Sequence, residues 1–154
     1  MLNQSQILEA QMELLKEDLA AKHRELGMKA SGKWEASLEV DVQRLKGVIR
    51  GEDYTEQLVN GRAPGKFPPI AAIKQWILDK NIRFLGQISL SSLAFLIARK
   101  IAKDGTKYFQ QGGTDLLDAV ITPQRIQSII DSVSEFYIDS FTSEISGFIK
   151  KMVT

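Results

Sequence analysis

The sequence predicts an α+β fold: mostly helical, with a small antiparallel sheet packed against two to four helices, including long N- and C-terminal helices. Three observations predict it. Apolar residues recur at three- and four-residue steps over most of the chain, which is the period of an amphipathic helix. Only one stretch alternates, with Leu38, Val40 and Val42 set against Glu39, Asp41 and Gln43, the period of a half-buried strand. Between that stretch and the later helices lies Gly61-Arg62-Ala63-Pro64-Gly65-Lys66-Phe67-Pro68-Pro69, which holds three of the four prolines and two of the eleven glycines. Pro fixes φ and removes a donor and Gly relaxes φ, so these residues form neither helix nor central strand. They read as a specified, exposed loop.

The elements follow in order. Residues 3–28 form an amphipathic helix with Leu8, Met12, Leu15, Leu19 and Leu26 along one stripe, capped by Asn3 or Ser5. Residues 30–33 are a linker. Strands lie within 36–50 and turn near Arg44 to Gly47. Two strands make no stable sheet alone, so they must pack on helices or pair with strands of another subunit. Asp53 to Asn60 suits one or two helical turns with Asp53 as cap. A second helix spans about 69–80, with Pro69 at its first position, Ile70, Ile73, Trp76 and Ile77 as its apolar set and Asn81 as its stop. A third spans about 91–104 with Leu93, Leu96, Ile97 and Ile101 facing inward, Arg99, Lys100, Lys103 and then Lys107 opposite, and Gly105 as C-terminal cap. Residues 110–114 are a flexible turn, and 115–121 suit either a short helix or an extended connector.

Thr122-Pro123 starts the last helix, about 123–152 and roughly 45 Å long. Its apolar stripe runs through Ile126, Ile130, Val133, Tyr137, Phe141, Ile145, Phe148 and Met152, and Ile129, Phe136 and Ile138 widen it. Most of this helix should serve the core. Its length and breadth also suit contact with a second chain, for which Phe136, Phe141 and Phe148 are the candidates.

With 154 residues, 44% of them hydrophobic, the chain suits one domain (1–154) with a single core. Twenty basic residues balance nineteen acidic ones, and the +1 net charge does not point to nucleic acid or membrane as the main partner. The absence of cysteine excludes disulfides and thiolate-held metals. Met1 to Ser5 have no signal-peptide pattern, and the longest apolar run, Leu93 to Ala98, is too short to cross a bilayer. The expectation is a soluble protein made in the cytoplasm.

No catalytic constellation emerges, and the expectation is a protein that is not an enzyme and takes no cofactor or metal. The single histidine, His23, lies between Lys22 and Arg24 and reads as a surface residue. The Gly61 to Phe67 segment departs from a phosphate loop: the glycine spacing is short, and Phe67 stands where a magnesium-binding hydroxyl is needed. The pairs Asp115/Asp118 and Glu52/Asp53 read as capping and solvated groups.

Gly61-Arg62-x-Pro64-Gly65-Lys66-x-Pro68-Pro69, a following apolar helix with Trp76, the pair Asn81-Ile82, the run Ala94-Phe95-Leu96-Ile97-Ala98-Arg99-Lys100-Ile101-Ala102, and Gly105-Thr106 together resemble the tail-completion and neck proteins of tailed bacteriophages. The type is the family that includes minor tail protein Z. The resemblance covers about Tyr54 to Phe109 and is architectural elsewhere; the long C-terminal helix lies outside the family pattern. It implies a structural virion protein of the neck or head-proximal end of the tail, acting in head-tail joining or tail completion and assembled in the host cytoplasm. It also implies a homo-oligomeric ring of six or twelve copies, in contact with other neck, tail or portal-adaptor proteins and away from membranes. DNA would pass through the lumen without sequence-specific binding. The carried-over interface positions are Gly61, Arg62, Pro64, Gly65, Lys66, Pro68 and Pro69, with the helix Ala94 to Ala102.

Arg99, Lys100, Lys103 and Lys107 form the one basic patch. A single chain reads it as a solvated face. A ring multiplies it by the copy number and turns it toward a lumen and DNA. The alternative function is a small helical nucleic-acid-binding or regulatory module using that same face.

Overall fold

The computed structural model describes residues 2–83 and 86–153. Nine helices and strands follow in order among them: α1 (Gln4–Glu25), α2 (Lys33–Ser37), β1 (Glu39–Gln43), β2 (Lys46–Arg50), α3 (Thr55–Asn60), α4 (Ile70–Asp79), α5 (Leu90–Asp104), α6 (Lys107–Gln110) and α7 (Pro123–Val153). The predicted α+β class holds: long helices at both ends and one two-stranded sheet.

Asn3 caps α1 through a reciprocal capping box: its side chain accepts from the Gln6 amide, and the Gln6 side chain accepts from the Asn3 amide. The helix ends earlier than the sequence suggests, because Gly27 takes a positive φ and turns the chain. Met28 is buried beyond that turn rather than within the helix. Lys33 to Ser37, expected as linker and strand start, form the short helix α2, which buries Trp34.

β1 and β2 pair antiparallel with Gln43 opposite Lys46, so the hairpin turns through Arg44 and Leu45. Arg44 takes a positive φ there, as a two-residue hairpin turn requires. The sheet packs on α1 of its own chain, and the Ser5 hydroxyl donates to the Arg44 carbonyl at 2.8 Å. Thus the hairpin finds its support within the domain. Tyr54, not Asp53, precedes α3, and no side chain caps that helix.

Two buried clusters meet along α1. One joins Leu19, Met28, Trp34, Leu38 and Leu116. The other joins Leu8 and Leu15 to Ile129 of α7, with Met12 and Val133 packed against it. Burying side chains of this size contributes about 1.5–3 kcal/mol each. The 115–121 segment is a succession of helical turns that inserts Leu116 into the core.

α4 and α5 form a separate helical hairpin. Its seam is Ile77 of α4 with Ala94 and Ala98 of α5, all essentially inaccessible to solvent. The small alanines at i and i+4 let the helices approach closely. This corrects two sequence expectations. Leu96, read as inward-facing, and Trp76, counted in the apolar set of its helix, are about half exposed, because on α5 the alanine ridge makes the contact and on α4 Ile77 does. Pro69 is the N-cap of α4 rather than its first residue, and Ser89 caps α5 by accepting from the Ser92 amide.

Thr122 caps α7 as expected, accepting from the Arg125 amide at 3.1 Å. Only the first part of α7 lies on the core, through Ile129 and Val133, with Arg125 paired to Asp18 of α1 at 2.7 Å. The expectation that most of this helix serves the core is therefore wrong. From Tyr137 onward its described side chains are exposed.

Candidate functional site

The Gly61–Pro69 loop was expected to be specified and exposed; residues 63–67 and Pro69 are exposed, and the loop is fastened to the junction between α5 and α6. The Arg62 amide donates to the Thr106 hydroxyl at 2.9 Å, and the Thr106 amide donates to the Arg62 carbonyl at 2.9 Å. The Gly65 amide donates to the Ala102 carbonyl at 2.8 Å. The two glycines at this crossing are required by space as well as by conformation. A Cβ on Gly61 would lie 2.1 Å from the Phe109 backbone nitrogen, and one on Gly105 would lie 2.8 Å from the Arg62 carbonyl oxygen, each at a positive φ. Pro68 is buried, Gly61 and Arg62 are half-buried, and Ala63, Pro64, Gly65, Lys66, Phe67 and Pro69 are exposed. Arg62 and Lys66 have no carboxylate within 4.0 Å among the described residues.

The loop also carries Phe67, whose ring stacks with Phe95 of α5 at 5.9 Å between centroids while both remain about half exposed. Both lie within the carried-over loop and helix, although the sequence reading named neither individually as a site residue. The signal was present, since Phe95 sits one position off the alanine ridge and so must lie at the rim of the α4–α5 seam.

Arg99, Lys100 and Lys103 are exposed on α5, on the side away from the alanine ridge. Leu96 shares that side, three, four and seven residues before them. Lys107 does not extend the patch along the same helix. Gly105 ends α5, Thr106 starts α6 by accepting from the Phe109 amide, and Lys107 is exposed on that new helix. None of the four bases has a carboxylate within 4.0 Å among the described residues.

On α7 the three candidate contact residues part company. Phe136 is half-buried, facing the α1 side with Ile129 and Val133, whereas Phe141 and Phe148 are 57% and 63% exposed. With Ile138, Ile145 and Met152 they form an apolar line at three- and four-residue steps, turned away from the core. Near its start this line borders an open groove of about 350 Å³, lined by Gln4, Leu45, Val133, Ser134, Tyr137 and Ile138.

His23 departs most from expectation. It is 3% exposed, its ring stacked on Trp34 at 4.5 Å, and its Nδ1 lies 3.2 Å from Glu35 Oε1. Arg24 Nε reaches the same carboxylate at 3.3 Å. Lys22 and Arg24 are its neighbours in sequence but leave α1 in other directions, so His23 follows Leu15 and Leu19 into the core. Burial pushes its pKa below the ordinary 6.5; Lys80 and Arg24 act in the same direction, and Glu35 opposes them. The cluster has the form of a packed structural histidine. Asp115 pairs with Lys22 at 3.5 Å and Glu52 with Lys33 at 3.6 Å. Among the described residues no group of three or more His, Asp or Glu is placed to hold a metal ion, and no helix is long and apolar enough to cross a membrane.

Comparison with protein families, with curated proteins and with solved structures finds no match to this chain.

Proposed function

We propose that this chain is a structural, non-enzymatic virion protein of a tailed phage or prophage. In this reading it forms a homo-oligomeric ring at the neck or head-proximal end of the tail, through which DNA passes. The observation that carries the proposal is the outer half of α7, whose line of large apolar side chains faces away from its own core. A contiguous apolar surface of this kind is typical of chains that complete themselves on another protein. The neck assignment draws on the sequence resemblance. Its two most specific pieces, the Gly/Pro loop and Gly105-Thr106, are hydrogen-bonded to each other, which is how parts of one motif behave.

The test is the absolute mass of the purified protein at low and high salt. The expected result is a discrete particle of about six or twelve times the 17.2 kDa chain, persisting at high salt because apolar burial is not screened. A protein that stays monomeric at every concentration, and also with purified portal and tail components, would overturn the reading. The exposed and unpaired Arg99, Lys100 and Lys103 favour a second reading, a nucleic-acid-binding module. Its mark is a DNA affinity that falls steeply with salt, by a slope set by the number of phosphates neutralised.

A further inference from the structure

Among the apolar surfaces left open on the described residues, two differ in charge. On α7, Ile138 and Ile145 run along the outer face, and Asp131 and Glu135, four residues apart, lie on the same side of the helix, seven and three residues before Ile138. On α5, Phe95 and Leu96 stand exposed at the head of a face whose next residues include Arg99 and Lys103, also four apart and without carboxylate partners among the described residues. Arg99 and Lys103 stand three and seven residues after Leu96, so an antiparallel crossing that sets Ile138 on Leu96 brings Glu135 to Arg99 and Asp131 to Lys103. Ridges at four-residue spacing on both helices also interdigitate in the commonest helix-packing class.

We propose that the outer face of α7 docks antiparallel on the α5 face of a neighbouring copy of this chain, Ile138 against Leu96, Glu135 against Arg99 and Asp131 against Lys103. The proposal rests on the ring reading and supplies its interface. The two surfaces lie on different elements of one chain, so the contact is heterologous. Each copy offers α7 to one neighbour and α5 to the next, which is the arrangement that closes into a ring. A second α7 is the poorer partner. Of its own bases, Arg125 is paired with Asp18 of α1, and Lys150 and Lys151 are consecutive, so these two leave the helix about 100° apart and form no ridge.

The chain contains no cysteine, so introduced thiols report contacts without background. Ile138→Cys and Leu96→Cys alter exposed positions and leave the fold intact. Under mild oxidation by diamide, a mixture of the two single variants should give the mixed disulfide dimer on the order of ten-fold in excess over either homodimer. The variant carrying both substitutions should give a ladder of linked chains. Predominant Ile138→Cys homodimers, or no 96–138 bridge at any concentration, would overturn the interface. A ring mass without the bridge sinks this interface alone. A bridge with only open ladders and no closed particle keeps the interface and sinks the ring.

Charge reversal supplies an independent readout. Asp131→Lys with Glu135→Lys, or Arg99→Glu with Lys103→Glu, should each weaken association ten- to a hundred-fold, on the order of what like charges facing each other at an interface cause. An equimolar mixture of the two should assemble again, because each then meets its complement at both faces. If the Arg99/Lys103 variant loses only DNA binding and assembles normally, the α5 face serves nucleic acid and the proposal fails.

Discussion

Gly61 approaches the backbone of Phe109 more closely than any side chain permits, and a single methyl tests how much the crossing matters. Gly61→Ala combines a positive φ with a Cβ overlapping backbone rather than a movable side chain. It should destabilise the fold by more than about 2 kcal/mol, read from the urea midpoint; a loss under half that size would mean that the loop can leave its cradle. His23 gives a second residue-scale prediction, from pH. Its folded pKa lies below 6.5, so the unfolded chain takes the proton first as pH falls. Stability from this group is full above pH 6.5 and is lost as pH falls through the lower folded value. The melting temperature should therefore drop between pH 7.5 and 5, and His23→Gln should lower it at pH 7.5 while flattening the slope. Equal slopes in the two proteins would show that other groups carry the pH dependence. The burial of His23 was legible, since it lies four residues past Leu19 on the stripe of Leu8 and Leu15. Its charged sequence neighbours hid that, because adjacent residues on a helix point about 100° apart.

Among the elements, α7 separates stability from association. Phe141→Ser with Phe148→Ser removes rings that already contact solvent, so unfolding free energy should change by no more than about 0.5 kcal/mol while assembly is lost. Phe136→Ser removes a half-buried ring and should lower stability measurably. If the double variant melted as early as the Phe136 variant, the outer half of α7 would be packed in the monomer. The starts of the longest helices were readable because caps are local chemistry: Asn3 and Thr122 act as their types and positions suggest. α2 and α6 were not, at five and four residues, because neither completes enough turns to display a period. Leu93, Ile97 and Ile101 of α5 are half-buried as expected, but Leu96 was misread for a related reason. Hydrophobicity ranks Leu96 above Ala94 and Ala98, but a close helix crossing selects small residues. The exposed half of α7 could not be read from periodicity, since an apolar stripe looks the same whether it faces its own core or another protein.

At the scale of the whole molecule, packing is divided between two units. The body gathers α1, the β-hairpin, α2, α3, residue 116 and the start of α7 around the two clusters along α1. The α4–α5 hairpin has its own seam and shares no buried cluster with the body. Amide hydrogen exchange should therefore show α4 and α5 opening at lower free energy than α1 and β1; exchange of all four in one cooperative step would contradict the division. The hydrogen bonds between Arg62 and Thr106 have a further consequence. The chain departs the body and comes back to it at the same point, like a drawstring bag tied at its neck. The segment between 63 and 105 hangs, in its described residues, from that point, with Lys80 donating to the Gly27 carbonyl as a second tie to the body. A turn of two or three residues should be able to join Arg62 to Thr106 in its place, and a foreign helical hairpin could be spliced there. Lineages carrying the same body would be free to exchange this segment whole, changing what the protein meets without rebuilding what folds it.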